Sequence, residues 1–401
     1  MILDITPLRK YRDFRLLYTG QLVSLFGSMV TFVAVPVQVY NLTQSSFIVG
    51  LLGTVQLVPL LIFALLGGAF ADSMDRRRLL VVSEILLALG SAVLCVNALV
   101  RHPSVILIFA VTASMSALNG FHRPALDAIT PRLVKREDLR AVAALGSLRF
   151  SLSSIVGPAL GGLLIWKLGI ASTYAIDVVS FVVSLIALAS IRSMPERETI
   201  KPSVSSIVVG MRYAVSRPEL IGTYVVDMMA MTFAMPMALF PAMAAGWGGA
   251  RAVGWLYSAM PIGALLATLL SGWTSKVDRH GRYVVYGAVI WGVAIVGLGL
   301  SHSLAAALIF LAIAGAGDNV SVIFRGAIWN ETIPSELRGR LAGVEMISYL
   351  SGPMLGNTRA GWVASISSNS YSIVSGGFIC LVGVLICIPL LPAFWKYRRV
   401  A

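Results

Sequence analysis

The sequence Gly67-Gly68-Ala69-Phe70-Ala71-Asp72-Ser73-Met74-Asp75-Arg76-Arg77-Arg78 decides how this chain folds, because it is a short charged turn between two long apolar segments. The run from Phe47 to Ala71 carries no charge, and the run from Leu79 to Val100 carries only Glu84. Each run is long enough to cross the ~30 Å hydrocarbon layer of a bilayer. The turn therefore predicts a hairpin between two membrane-spanning helices.

The composition of the whole chain also indicates a membrane protein. Hydrophobic residues make up 57% of the 401 residues and charged residues only 12%, whereas a soluble domain of this size needs a more polar surface. The net charge of +13 does not indicate a nucleic-acid partner, because the basic residues are dispersed among short loops. The three cysteines lie in apolar runs without metal-site or disulfide spacing, so we expect no metal and no cofactor.

Charge-free runs predict twelve transmembrane helices. The predicted spans are residues 14–40, 46–71, 79–100, 104–126, 140–167, 171–191, 219–244, 253–274, 283–301, 303–328, 341–366 and 371–395. With these spans, twenty-four of the 31 lysines and arginines lie on one side of the bilayer and three on the other. The positive-inside rule therefore predicts a multi-pass protein of the bacterial inner (cytoplasmic) membrane, with both termini in the cytoplasm.

The sequence also predicts that the chain is divided into two halves. Its longest polar interruption indicates a cytoplasmic linker with a short amphipathic helix over 193–218, between an N-terminal six-helix bundle at 1–192 and a C-terminal one at 219–401. The halves repeat in register at offsets of 195 to 204 residues. Matching segments include Arg123-Pro124-Ala125-Leu126 with Arg325-Gly326-Ala327-Ile328, Gly157-Pro158-Ala159-Leu160-Gly161 with Gly352-Pro353-Met354-Leu355-Gly356, and the first turn with Asp278-Arg279-His280-Gly281-Arg282. We therefore expect two pseudo-symmetric bundles.

These segments resemble the major facilitator superfamily. The turn at Gly68 to Arg77 is similar to its loop signature, and Gly157 to Gly162 is similar to its antiporter signature. The segments Val33 to Gln38 and Gly254 to Ala264 resemble the enterobactin (siderophore) exporter branch. The resemblance implies a monomeric transporter that works by alternating access, with a small-molecule site between the bundles near mid-membrane. One departure concerns proton coupling, because Ser116 stands where the family's antiporters have an arginine.

Ionisable residues inside the spans are the first candidates for transport, since a charge at the bilayer centre costs at least ~2.5–3.5 kcal/mol. Asp227, Asp318 and Arg149 are mid-span, and the aspartates are the candidate proton carriers, each moving between a wet cavity and contact with an arginine such as Arg149. Gln38 and Asn119 complete the candidate proton-coupling and substrate cavity. Asp177 is interpreted as a structural residue in preference to a transport residue.

A second group of residues predicts a cytoplasmic gate, in which carboxylates meet arginines and helix ends. Its members are Gly68, Asp72, Arg76, Arg77, Arg123, Asp127, Asp278, Arg282 and Arg325. A third group predicts flexible, closely packed hinge helices, since proline removes a backbone donor and small residues let helices approach. Its members are Gly157, Pro158, Gly161, Gly352, Pro353 and Gly356. The alternatives, a purely topological role for the arginines and ordinary packing for the glycines, stay open.

The sequence does not predict an enzyme, because it contains neither an HExxH motif nor a GxxxxGK[ST] phosphate loop. The prediction is a secondary exporter that moves a siderophore-like, oxygen-rich anionic metabolite outward, coupled to proton entry. A multidrug:proton antiporter for lipophilic compounds, a uniporter without proton coupling and a non-transporting sensor on the same fold are the alternatives. The sign of charge in the cavity distinguishes the first two, since an anion favours arginines and a lipophilic cation favours acids alone.

Overall fold

The fold is described by a computed structural model covering residues 4–73, 76–192, 211–334 and 337–399. Within the helices, the side chains of residues 64–73, 76, 128, 338–340, 342–344 and 346 lie outside this description. The main helices are α1 Arg12–Thr43, α2 Ser46–Ser73, α3 Arg76–Leu99, α4 Val105–Ile129, α5 Leu139–Ala189, α6 Pro218–Ala234, α7 Phe240–Ala245, α8 Ala250–Leu269, α9 His280–Gly299, α10 Leu304–Thr332, α11 Arg338–Ile366 and α12 Asn369–Leu390. The predicted all-α class is confirmed over these residues.

Ten helical stretches of the described chain are long and apolar enough to cross a membrane. One of them, Arg136–Ala189, contains two of the predicted spans, because α5 is broken at Gly169, where φ is +82°. Only glycine adopts such a backbone conformation without steric cost. The predicted eleventh span corresponds to α11, which is not among the ten stretches. These helices are consistent with the predicted twelve spans.

Contacts divide the chain into two compact units, one of Met1–Leu42 with Val55–Pro202 and one of Thr43–Thr54 with Ser203–Ala401. The second unit thus takes in a short piece of α2, where the Thr54 and Thr358 hydroxyls are 2.7 Å apart. Most of the predicted linker lies outside the described residues.

Each unit contains one of the two Gly-Pro helices in close contact with a neighbour. In the first unit, a Cβ on Gly157 of α5 would collide with Met29 Cβ of α1. In the second unit, a Cβ on Gly352 of α11 would lie 2.8 Å from Met231 Cβ of α6, and one on Gly356 would collide with the Met231 carbonyl oxygen. These glycines therefore allow the backbones to approach, as small residues do in membrane helix pairs.

The seventh predicted span is interrupted between α6 and α7. The helix ends at Ala234, and a 3₁₀ turn over Met237–Leu239 precedes α7. Two side chains of α11 bind the interrupted backbone, since Arg359 Nη1 donates to Phe233 O at 2.9 Å and Asn357 Oδ1 accepts from Ala238 N at 3.0 Å. Non-helical backbone at membrane depth needs such partners. The break is therefore stabilised by α11 and leaves Asp227 on α6 about two turns before it.

Candidate functional site

A buried cluster of three charged side chains lies in the second unit. Arg325 of α10 forms an ion pair through Nη1 with Asp227 Oδ1 of α6. Its Nη2 lies 3.4 Å from Asp318 Oδ1, which belongs to α10 itself, two helical turns before Arg325. The side chains of Arg325 and Asp227 are each 7% exposed, whereas that of Asp318 is 34% exposed. Asp318 is thus the more accessible and more weakly paired of the two carboxylates.

The cluster carries an excess of negative charge when all three groups are ionised, because one guanidinium faces two carboxylates. Among the described residues, Arg325 Nε has no hydrogen-bond partner, although it is buried. A charge in a low-dielectric interior is costly unless it is paired. The arrangement therefore favours the binding of one proton or one other cation beside Arg325.

Neutral contacts hold α6 against α10 next to this cluster. Trp329 Nε1 donates to Thr223 Oγ1 at 2.9 Å, one turn from the ion pair on each helix. The rings of Trp329 and Tyr224 also pack at 5.8 Å between centroids. On the other side of α10, Asn319 Nδ2 donates to Thr268 Oγ1 of α8 at 3.1 Å. These contacts fix the positions of the residues that carry the charged groups.

The structure shows the surroundings of two arginines that were selected from the sequence. Arg325 is one of the predicted gate residues, and its partners in the structure are Asp227 and Asp318. Glu331 lies by His280, with Oε2 3.4 Å from Nδ1. Arg149 was offered as one example of an arginine that could meet the two aspartates, and its electrostatic neighbours are Tyr18 and Asp127 in the first unit. The seven-residue spacing of Asp318 and Arg325 would have indicated their proximity, since residues two turns apart share a helix face.

The cavity residues predicted in the first unit differ from one another in their surroundings. Arg149 is half-buried and within electrostatic range of Tyr18 and Asp127, and its Nε has no hydrogen-bond partner in the described part of the chain. Gln38 is buried, and its Oε1 accepts from Tyr174 OH at 2.8 Å. Asn119 Nδ2 donates to Met115 O in its own helix at 2.9 Å. Gln38 therefore packs inside the unit, whereas Arg149 keeps donor capacity for a ligand.

The predicted gate is described only in part. The side chains of Asp72 and Arg76, and the surroundings of Gly68, lie outside the described residues. Arg77 Nη2 donates to Leu188 O and Ala189 O, each at 3.1 Å, at the end of α5. Arg123 and Asp127 are exposed. The gate therefore stays a prediction for these positions.

In the second unit, the corresponding loop contacts the C-terminal tail. Asp278 is exposed, and its carbonyl oxygen accepts from Arg399 N at 2.7 Å. The Arg282 guanidinium lies 5.1 Å from the ring centroid of Trp395, a cation–π contact. Tyr397 OH donates to Glu331 Oε2 at 3.1 Å. The tail thus binds the ends of α9 and α10.

Two further buried acids lie in the first unit. Asp177 accepts hydrogen bonds from Thr31 and Ser91, each at 2.7 Å, and is fully buried, which agrees with its interpretation as a structural residue. Glu84, which sequence reasoning noted but did not select, is also fully buried and contacts His122. The rule that selected Asp227 applies equally to Glu84, because both are ionisable groups inside a predicted span.

Apolar membrane-spanning helices in two repeated halves, with charged groups inside the protein, define a multi-pass membrane transporter. The chain belongs to the family described as transmembrane secretion effector (MFS_3), whose model matches residues 3–396. Proteins named enterobactin exporter EntS, from Shigella boydii serotype 4 (strain Sb227) and Escherichia coli O81 (strain ED1a), are 26% identical to it over 392 residues, which cover 97% of this chain and 94% of theirs. The predicted resemblance to this branch of the major facilitator superfamily is confirmed.

Solved structures agree with the fold. A POT family transporter in complex with 5-aminolevulinic acid superposes with a TM-score of 0.77 at 13% identity, covering 96% of this chain and 97% of that one. A bacterial homologue of the iron transporter ferroportin, in an inward-facing state, gives 0.72 at 15% identity, covering 96% and 99%. The major facilitator fold predicted from the sequence is therefore confirmed. At these identities, the structural likeness establishes the fold alone.

Proposed function

We propose that this protein is a proton-coupled secondary exporter of a siderophore-like anionic metabolite, acting by alternating access in the bacterial cytoplasmic membrane. In this proposal, the halves at 1–192 and 219–401 are the two bundles, 193–218 joins them, and both termini are cytoplasmic. The observation that carries the proposal is the sharing of Arg325 between Asp227 and Asp318 inside the second unit.

The two carboxylates have different roles in this proposal. Asp227 is buried with Arg325 in a direct ion pair, so it holds the guanidinium in place. Asp318 has the longer contact and the larger exposed fraction, so it can exchange a proton with a water-filled cavity. When Asp318 is ionised it competes for Arg325, and when it is protonated Arg325 pairs with Asp227 alone. Proton binding thereby changes how strongly α10 is held to α6.

The substrate class rests on two observations. The curated relatives are named as enterobactin exporters, and Arg149 has an unpaired Nε among the described residues with which to meet an anion. One observation favours the alternative, a multidrug:proton antiporter for lipophilic compounds. The charge excess beside Arg325 would attract a lipophilic cation as well as a proton.

Transport by purified protein in proteoliposomes distinguishes these substrates. We expect iron-free enterobactin to leave proteoliposomes faster when the outside is acidified. Tetraphenylphosphonium, a lipophilic cation, should show no protein-dependent flux. The reverse pattern would assign the protein to multidrug antiport. Enterobactin flux that is independent of the pH gradient would indicate a uniporter.

Asp318→Asn tests the proton site in the same assay, with Glu137→Gln as the control. Glu137 is an exposed acid whose side chain is 66% accessible, so its loss should leave the acid-stimulated rate unchanged. Asp318→Asn should remove the acid stimulation while the protein still binds enterobactin. Retention of the full stimulation in Asp318→Asn would exclude Asp318 as the proton carrier.

A further inference from the structure

Glu84 is a fully buried acid at the meeting point of four helical segments. It lies on α3, and its Oε1 is contacted by the Gln21 amide of α1. Ser184 Oγ, on the second half of α5, donates to the same oxygen at 3.1 Å. His122 Nε2, on α4, lies 3.3 Å from it. All of these contacts involve one oxygen of the carboxyl group.

The other carboxyl oxygen, Glu84 Oε2, is buried without a hydrogen-bond partner among the described residues. A buried carboxylate with one oxygen unsolvated is unfavourable, because a buried charge needs partners for all of its polar atoms. A neutral carboxylic acid fits the site better, since the unpartnered Oε2 then carries no net charge. Glu84 therefore needs either a proton of its own or a positive charge on His122.

His122 is the one ionisable side chain of the described chain within ion-pair distance of Glu84. Other charged groups nearby on the same helices have their own partners. Arg77, two turns before Glu84 on α3, donates to the end of α5, and Asp177, on the second half of α5, accepts three hydroxyl hydrogen bonds. Asp127, on α4, interacts electrostatically with His122 as well as with nearby arginines.

The two side chains of the pair differ in their exposed fraction. The His122 side chain is 12% exposed, whereas that of Glu84 is 0% exposed. A proton from water can thus reach His122 first. Transfer of the proton from imidazolium Nε2 to Glu84 Oε1 then converts an ion pair into a neutral acid and a neutral imidazole, with no change in total charge.

We propose that Glu84 and His122 form a second proton-binding site, in the first unit and distinct from Asp227, Asp318 and Arg325. The pair holds one proton in its neutral state, and His122 is the route by which that proton reaches Glu84. The hydrogen bonds from Gln21 and Ser184 orient the carboxyl group. This site binds its proton whether or not Asp318 couples transport, so it goes beyond the proposed export mechanism.

Infrared difference spectroscopy of the full-length protein in lipid nanodiscs tests the site without any substrate. A pH jump should produce a band from a protonated, buried carboxyl group, and Glu84→Gln should remove that band. The glutamine keeps the hydrogen-bonding shape of the site, so folding should be preserved. His122→Gln should slow the appearance of the band at least tenfold, because the entry route is lost.

Ser184→Ala is the matched control, since it removes one hydrogen bond to Glu84 but no ionisable group. We expect its band to shift in frequency and to keep its amplitude and rate. Asp177→Asn controls for another fully buried acid of the first unit and should leave the Glu84 band in place. Persistence of the band in Glu84→Gln would overturn the assignment to Glu84. A His122→Gln variant with wild-type kinetics would overturn the route through His122.

Discussion

At the residue scale, Arg325 and Asp318 differ in what their removal leaves behind. Arg325→Gln would leave buried Asp227 and half-buried Asp318 without their shared cation, whereas Asp318→Asn would leave the Asp227–Arg325 pair with balanced charge. Removing one partner of a buried pair typically costs 3–5 kcal/mol. We therefore expect Arg325→Gln to be destabilised by about that amount, and Asp318→Asn to unfold at or above the wild-type temperature.

Thermal unfolding of the detergent-solubilised variants, followed by tryptophan fluorescence, measures this difference. The double variant Asp227→Asn with Arg325→Gln is the control, because it removes the direct ion pair as a unit. It should be more stable than Arg325→Gln alone. Equal unfolding temperatures for Arg325→Gln and Asp318→Asn would show that charge balance does not set stability here.

At the scale of helices, α5 provides its own comparison for the role of small residues. A Cβ on Gly157 would collide with Met29 of α1, while a Cβ on Gly146, on the same helix, would point into open space among the described residues. Overpacking a tight contact typically costs 1–3 kcal/mol, whereas alanine at an open helical position is favourable by roughly 0.5–1 kcal/mol over glycine. Gly157→Ala should therefore lower the unfolding temperature, and Gly146→Ala should maintain or raise it.

Transport assays of the same two variants connect packing to function. If alternating access requires close approach of α5 to α1, Gly157→Ala should reduce the export rate by more than its effect on stability explains. The rate is measured well below the unfolding temperature. A Gly157→Ala variant as stable and active as Gly146→Ala would leave no special packing role for Gly157.

The break between α6 and α7 illustrates what sequence patterns omit at this scale. Pro36 in α1 and Pro236 after α6 occupy matching positions of the repeat, yet α1 continues through its proline and α6 ends before the second one. Asn357 and Arg359 of α11 bind the interrupted backbone. Because these partners come from a distant part of the chain, the span at 219–244 was predicted to be continuous.

At the scale of the whole molecule, apolar run lengths predicted the helices, and the internal repeat together with the family resemblance predicted the fold. A membrane requires each run to form a helix of nearly fixed length, so the predicted spans match the helices closely. Asp227 and Asp318 were found in the same way, as ionisable groups inside spans. The partners of Arg325 and Glu84 were not predicted, because run lengths do not determine which face each helix turns toward its neighbours.

The predicted topology can be tested with single cysteines. The native cysteines Cys380 and Cys387 are buried and Cys95 is half-buried, so their replacement by alanine should give a usable background. Arg279→Cys should react with a membrane-impermeant maleimide only in inverted vesicles, and Arg101→Cys only in intact spheroplasts. Reaction of both from the same side would contradict an odd number of spans between positions 101 and 279.

The energetics of export provide the last prediction. A proton entering the cell gains ~2.3 kcal/mol per 100 mV of inside-negative potential and about 1.4 kcal/mol per unit of pH difference. An anion leaving the cell is driven outward by the same potential, so it needs no proton to respond to voltage.

Wild-type protein should therefore respond to both gradients, and Asp318→Asn should respond to the potential alone. The measurement is enterobactin efflux from proteoliposomes. In one series, potassium and valinomycin clamp the potential at zero while the pH gradient is varied. In the other series, the pH is equal on both sides while the potential is varied. Acid-stimulated efflux by Asp318→Asn at zero potential would assign proton coupling to other groups. Loss of the voltage response in the variant would instead indicate that Asp318 is needed for movement of the protein itself.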